Sequence, residues 1–165
     1  MELHNLINLI KATPGCIVFP VDKMPTIKPN HIIPPDLENF YQLCGEIQLF
    51  KDSTFPTLIV SPNNFVQANP IIFANVDVKY LQKMKDDISW SWYLVGTGPN
   101  SQYITIDLSP ERLGNVYNSF WINHPRDSFI IASSFTDLLL SLIETKGEYY
   151  PWDMAGFVTL GNPYQ

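Results

Sequence analysis

Residues 90–108 read Trp-Ser-Trp-Tyr-Leu-Val, Gly-Thr-Gly-Pro-Asn-Ser and Gln-Tyr-Ile-Thr-Ile-Asp-Leu in succession. The outer two runs, 90–95 and 102–108, are rich in aromatic and β-branched residues, and the run between them is rich in turn-forming residues. This order is typical of a β-hairpin. Apolar and polar positions alternate in the second strand: Ile104, Ile106 and Leu108 against Tyr103, Thr105 and Asp107. The alternation predicts an antiparallel sheet with one face buried.

The two faces of this hairpin can be assigned from its tryptophans. We expect Trp90 and Trp92 to point to the buried side of the first strand, because large aromatic residues more often lie in a core than at a surface. Tyr93 would then share the opposite, exposed face with Tyr103 and Asp107. A slip of one residue in register would reverse the assignment.

Helices and further strands flank the hairpin. Four segments have the i, i+3, i+4 apolar spacing of amphipathic helices or a matching cap, and they are 2–12, 35–44, 77 to about 88, and 134–146. Short strands are expected at 16–19, 47–50, 58–60 and 115–121. The sequence therefore predicts a single α+β domain with a mainly antiparallel twisted sheet, packed by its N-terminal and C-terminal helices. The aromatic tail, residues 147–165, is expected to pack on this body or on a partner.

The charge balance excludes some classes of partner. The chain of 165 residues has 16 acidic and 10 basic residues, a net charge of −6. Its densest basic stretch, Lys79 to Lys85, runs directly into Asp86 and Asp87, so direct nucleic-acid binding is not expected. The N-terminus lacks the pattern of a signal peptide, and no apolar run approaches the roughly 20 residues of a membrane span. We expect a cytoplasmic protein without membrane contact, whose acidic surface suits a basic protein partner.

Motifs for catalysis are weak. Gly96-Thr97-Gly98 is followed by Pro99 and a strand, whereas phosphate-binding loops open onto a helix, so a plain hairpin loop is expected. His4, His31 and His124 are far apart and have no motif-like neighbours. A catalytic triad assembled by the fold stays possible in principle. The sequence predicts a protein that is not an enzyme and uses no cofactor.

The two cysteines, Cys16 and Cys44, do not make a disulfide framework, and their spacing is unlike that of zinc ligands. Cys44 falls on the apolar stripe of the second helix, which favours a buried thiol. No metal site is expected.

Three stretches together resemble the SUKH superfamily, which includes yeast cell-wall-synthesis regulators and bacterial immunity proteins of polymorphic toxin systems. The stretches are Ile33–Tyr41 followed by Gly45, Trp92–Gly98 followed by Ile104–Leu108, and Gly114–Tyr117 followed by Ile131–Leu139. The likeness covers about residues 30–146 of a single domain spanning 1–165. It departs from the family pattern at Ile33 and at the extra proline Pro35, and the tail lies outside it.

The resemblance implies a protein that works by binding. It implies an immunity protein that neutralises a cognate toxin domain, often a nuclease in bacterial members. A regulatory scaffold module and a small-ligand binder with a pocket near Gly96–Ser101 stay open as alternatives. We expect a monomer or weak dimer. Exposure and charge suggest these contact residues for the partner: Tyr93, Tyr103, Asp107, Asp86, Asp87, Trp121 and Asp127.

Overall fold

The computed structural model describes residues 1–165. Its helices are α1 (Leu3–Ala12), α2 (Pro35–Leu43), α3 (Ala68–Ile72), α4 (Val78–Lys83) and α5 (Phe135–Glu144), with 3-10 turns at Ile88–Ser91 and Pro151–Asp153. Its strands are β1 (Ile17–Phe19), β2 (Glu46–Leu49), β3 (Thr57–Ile59), β4 (Trp92–Gly98), β5 (Gln102–Asp107), β6 (Val116–Asn118) and β7 (Ile130–Ala132).

All seven strands form one antiparallel sheet in the order of the sequence, from β1 at one edge to β7 at the other. The predicted hairpin forms its centre, with Trp92 opposite Asp107 and Gly98 opposite Gln102. The turn between β4 and β5 has positive φ at Asn100 and Ser101. Positive φ at both central residues is the geometry that matches the twist of a tight hairpin. The predicted α+β class is confirmed.

Three helices cover one face of the sheet. α1, α2 and α5 contact one another, and their apolar stripes join the inward side chains of the strands in one core cluster of 29 buried residues. The N-terminus of α5 is capped as expected, because the Ser134 hydroxyl accepts a hydrogen bond from the Asp137 N–H at 3.1 Å. Asp36 of α2 links the two helices, since its Oδ2 accepts from the Thr136 N–H at 2.8 Å. One continuous core explains why the chain forms a single domain.

The second face of the sheet is also covered over half its width, which the alternation pattern did not predict. Trp92, Thr105, Asp107 and Tyr117 lie on this face and each is 0% exposed. The cover comprises residues 68–91, the loop after β6 and the end of the tail, whereas Phe65 belongs to the core of the first face. The rings of His124 and Trp92 pack with centroids 5.6 Å apart. Over β1 to β3 the same face is less covered, since Ile17 and Phe19 are exposed and Gln48 and Leu58 are half-buried.

Three predicted elements differ in the structure. Trp90 lies in the 3-10 turn before β4 rather than in the strand, and its Nε1 donates to the Met84 carbonyl at 2.7 Å. The helix expected from Asp77 to about Ile88 ends at Lys83 and buries none of its residues. Its apolar spacing misled because the segment lies on the outside of the cover, where Val78 is 66% exposed. The strand expected at 115–121 is also shorter, because the chain leaves the sheet after Asn118.

The aromatic tail packs on the body. Tyr150 and Trp152 are buried and stacked, with ring centroids 4.9 Å apart. Further on, the Ile130 N–H donates to the Gly161 carbonyl at 2.9 Å, and the Leu160 N–H donates to the Ile130 carbonyl at 3.1 Å. The tail thus occupies the outer edge of β7, which would otherwise present unpaired backbone groups to solvent.

Candidate functional site

Asp107 is a buried structural anchor rather than a surface group. None of its surface is exposed, so the expectation that it lies on an accessible face is wrong. The physical reason is the second cover layer, which closes over this part of the sheet. Five donors surround the carboxylate: Ser91 Oγ (2.7 Å), Ser109 N (2.9 Å), Trp92 Nε1 (3.0 Å), Arg112 Nε (2.9 Å) and Tyr117 OH (2.8 Å).

Tyr93 is buried as well, and it lies on the opposite face from Tyr103 and Asp107. It pairs with Ile106 in the sheet and stacks on Phe65, with ring centroids 5.3 Å apart. We expected Tyr93 to share a face of the sheet with Asp107, but it is the neighbouring residue, Trp92, that does so. The expected register was therefore wrong by one residue. The Tyr93 hydroxyl lies 2.9 Å from His31 Nδ1. Burial is the largest influence on both groups, raising the pKa of Tyr93 and lowering that of His31.

Asp87 is engaged within the chain. Its Oδ1 accepts hydrogen bonds from the Tyr164 hydroxyl at 2.6 Å and the Ser89 N–H at 2.9 Å, and its Oδ2 lies 3.2 Å from Arg126 Nη2. Burial opposes its ionisation. The hydrogen bonds from Tyr164 and Ser89 and the charge of Arg126 together outweigh burial and lower the pKa of Asp87. These contacts fasten the tail to the cover, so little of the Asp87 side chain is available to a partner.

The other expected contact residues reach the surface. Trp121 is 54% exposed, and Asp86 and Asp127 are exposed. Tyr103 is half-buried on the second face of the sheet. Trp121 and Asp127 belong to one segment, residues 119–129, which we call the outer loop. Their role in binding stays a prediction.

The outer loop is held to the body by buried polar contacts that the sequence did not reveal. His124 Nε2 donates to Asn69 Oδ1 at 2.7 Å, and Asn69 Nδ2 donates to Ser89 Oγ at 2.9 Å. Burial lowers the pKa of His124 to about 3 from its ordinary value of 6.5, so this imidazole is neutral near pH 7. A neutral histidine and a buried amide fix the base of the loop, and Trp121 and Ile122, 64% exposed, project from it.

A concave pocket of about 260 Å³ lies between the outer loop, the turn of the central hairpin and the tail. We call it the hairpin pocket. Amides and aromatic rings dominate its lining, and its one charged residue is Asp153: Phe55, Pro99, Asn100, Gln102, Asn118, Phe120, Asn123, Tyr150 and Asp153. The pocket lies at the Gly96–Ser101 turn, where the sequence left a small-ligand site open as an alternative. The sequence did not indicate its other walls, because the lining comes from four separate segments, 55, 99–102, 118–123 and 150–153.

The Gly96-Thr97-Gly98 motif is explained by packing against the tail. A side chain at Gly98 would overlap the Tyr150 hydroxyl, and one at Gly96 would press on Ile104. Gly98 therefore provides room for the tail beside the hairpin pocket. A tail tyrosine 52 positions away gave no local signal of this contact.

A second, more open groove of about 720 Å³ lies beyond the Asp107 anchor. Three acidic and three basic residues line it, together with His31: Asp86, Asp87, Glu111, Lys28, Lys85 and Arg112. Because the charges balance, this groove favours neither an anionic nor a cationic ligand.

No group of three or more His, Cys, Asp or Glu side chains is arranged to hold a metal ion. None of the helices is long and apolar enough to cross a membrane.

Comparison with known proteins agrees with the sequence motifs. Residues 30–141, more than half of the chain, match the SMI1 / KNR4 family (SUKH-1). The chain is also 38% identical over 166 aligned positions to a protein named "Immunity protein YokJ" from Bacillus subtilis (strain 168), an alignment that covers 99% of this chain and 96% of the relative. No solved structure matches the chain. The chain therefore belongs to the SMI1 / KNR4 (SUKH-1) family.

Proposed function

We propose that this chain is an immunity protein, which binds a toxin protein made by the same cell and blocks its activity. One observation carries the proposal: the chain aligns along nearly its whole length with a protein named as an immunity protein, at 38% identity. An alignment that covers 96% of the relative includes its surface as well as its core. A shared fold alone would support the function less strongly.

The outer loop is the surface that we propose for toxin binding. Trp121 and Ile122 are exposed on a segment whose base is fixed by the His124–Asn69 hydrogen bond. Exposed aromatic residues on a rigid base are the usual centres of protein interfaces, because little conformational entropy is lost when they bind. Asp127 of the same loop adds a carboxylate. Asp86 belongs to a cavity that also reaches Arg126 of the loop, so it lies on the same side.

We propose that the toxin is basic and that inhibition works by occlusion, without a reaction in this chain. The net charge of −6 supports an electrostatic attraction to a basic partner such as a nuclease. Binding without catalysis agrees with the role of the buried histidine, His124: its polar contacts hold the outer loop in place. Both proteins would meet in the cytoplasm, where the toxin is made.

The proposal is tested in a bacterial host with the protein encoded by the gene that neighbours the gene of this chain. This neighbouring protein is expressed alone and together with the chain. We expect the neighbouring product to arrest growth and the chain to restore it. We also expect the two proteins to elute together in size-exclusion chromatography. Lack of protection by the chain, with no complex formed, would refute the proposal.

The binding surface is tested with the double variant Trp121→Ala/Ile122→Ala. Because both side chains are exposed, the variant should fold normally and still bind the toxin at least about tenfold more weakly. Glu38→Gln is the matched control, since Glu38 is exposed on α2, far from the outer loop. Equal affinity of the double variant and the wild-type chain would show that the toxin binds elsewhere.

A further inference from the structure

The hairpin pocket has the size of one long side chain. Its volume of about 260 Å³ lies below the roughly 300–1,000 Å³ of sites that enclose cofactors or drug-sized ligands. It opens beside the outer loop, since Phe120 and Asn123 line it and Trp121 and Ile122 lie between them in the chain. A protein that contacts Trp121 would therefore reach the pocket.

The charge of the pocket is negative and uncompensated. Asp153 is its single charged lining residue. The ion pairs of the chain join Lys51 to Asp52, Arg112 to Asp107 and Arg126 to Asp87, so none of them involves Asp153. Asp153 is an exposed lining residue, and the partial loss of hydration at its position raises the pKa of its carboxyl. A cation entering the pocket would supply the missing counter-charge.

An acceptor with no partner in the chain lies in the same pocket. Gln102 is only 7% exposed, and its Nε2 donates to Asn118 Oδ1 at 2.6 Å. The Oε1 of Gln102 makes no hydrogen bond within the chain, and unlike the rest of this side chain it is reached by solvent. Asn118 Oδ1 also accepts from the Phe120 N–H at 3.3 Å, so the amide pair is held in one orientation. The free oxygen of Gln102 is therefore available to accept a hydrogen bond from a group that enters the pocket.

Aromatic rings complete the lining. Phe55 and Tyr150 meet edge to face with centroids 5.4 Å apart, and Phe120 lies on the side of the outer loop. Tyr150 is buried against Trp152, so the ring surface open to a ligand comes from the half-buried Phe55 and Phe120. Such rings next to a carboxylate and an amide oxygen match a guanidinium, which stacks on aromatic faces and presents several donors in one plane. An ammonium group would meet the carboxylate but would use the rings less well.

We propose that the hairpin pocket binds an arginine side chain of the toxin, with Asp153 and Gln102 Oε1 as acceptors and the Phe55, Tyr150 and Phe120 rings as its walls. The toxin as the source of this arginine rests on the function proposed above. The pocket and the exposed Trp121 would then form one contact surface, with a charged anchor beside an apolar one.

A first experiment tests the pocket without the toxin. The chain labelled with ¹⁵N is titrated with acetyl-Gly-Arg-Gly-amide while the side-chain amide signals of Gln102, Asn118 and Asn123 are followed by NMR. We expect saturable shifts of these signals, no such shifts with acetyl-Gly-Gln-Gly-amide, and loss of binding in Asp153→Asn. Equal shifts with both peptides, or shifts confined to other parts of the chain, would overturn the proposal.

A second experiment measures toxin affinity for Asp153→Asn and Gln102→Met by calorimetry, with Glu38→Gln as a control that also removes one negative charge. We expect Asp153→Asn to weaken the complex about tenfold or more and the control to change it less than about twofold. An unchanged affinity of Asp153→Asn would overturn the proposed arginine contact. Protection of cells by the wild-type chain in the same case would still uphold the immunity function. If the chain gives no protection, the proposed function fails and the peptide titration alone decides the pocket.

Discussion

Replacing Asp107 with alanine tests whether this carboxylate anchors the fold or serves as a contact residue. Four of its donors belong to buried residues, and one of them, the Ser91 hydroxyl, can donate to the Ile88 carbonyl instead. The other three would be left without the acceptor they use now: Trp92 Nε1, Tyr117 OH and the Ser109 N–H. Each buried donor left without an acceptor costs about 1–3 kcal/mol. Allowing for water that enters the vacated space, we expect the free energy of unfolding to fall by roughly 4 kcal/mol. Arg112 adds little to this loss, since its side chain is 25% exposed and can turn to water.

The assay is urea unfolding followed by circular dichroism. With a slope of about 2 kcal/mol per molar urea, a loss of roughly 4 kcal/mol lowers the midpoint by about 2 M. Asp127→Ala is the control, because Asp127 is exposed and its loss should change stability by less than about 0.5 kcal/mol. If Asp107→Ala unfolded at the same urea concentration as this control, the anchor role of Asp107 would be refuted.

Three further predictions concern the tail and the buried histidine. Gly98→Ala should lower the free energy of unfolding by about 1–3 kcal/mol, because the new methyl group overlaps the Tyr150 hydroxyl. Adding Tyr150→Phe to this variant should recover part of the loss in urea unfolding. No effect of Gly98→Ala would contradict the contact. Because burial lowers the pKa of His124 from 6.5 to about 3, the unfolded chain binds a proton below pH 6.5 that the native chain does not, so stability falls as the pH drops from 6.5 toward 3. In His124→Gln, we expect the free energy of unfolding to fall less steeply between about pH 6 and 4.5, by about 1.4 kcal/mol per pH unit. An unchanged pH profile of unfolding would show that His124 is not buried as described. Tyr164→Phe removes a hydrogen bond to Asp87 and should lower the free energy of unfolding by about 1 kcal/mol. It should also speed amide hydrogen exchange at Leu160 and Gly161. Unchanged exchange would mean that Tyr164 does not hold the tail.

The elements that were predicted correctly are those whose cause is local. The hairpin of β4 and β5 follows from alternation and turn residues, and α5 follows from its Ser134 cap and a wide apolar stripe. These features act over fewer than about a dozen residues, so they can be read along the chain. The segment from Asp77 to Ile88 has similar local features, but its helix α4 buries no residue and touches the body only at its side, for example through Tyr80 on Phe73.

The contact residues were less predictable, because exposure depends on what lies above a residue. Tyr93 and Asp107 occupy strand positions of the expected kind, yet both are buried. Tyr93 was assigned to the wrong face, because a shift of one position along a strand moves a side chain to the other side of the sheet. Asp107 was assigned to the right face, but the cover over that face comes from segments distant in the sequence.

The sequence by itself determined the α+β class, the central hairpin, the helical core face and, through the order of its motifs, the family. Local periodicity and turn chemistry are sufficient for these because they depend on neighbouring residues. Only the tertiary structure decided that Asp107 is a buried anchor, that the tail covers the edge of β7, and that Asp153, Gln102 and Phe55 line one pocket. These features arise when segments far apart in the chain come together, since a side chain's burial and its partners are properties of the packed molecule.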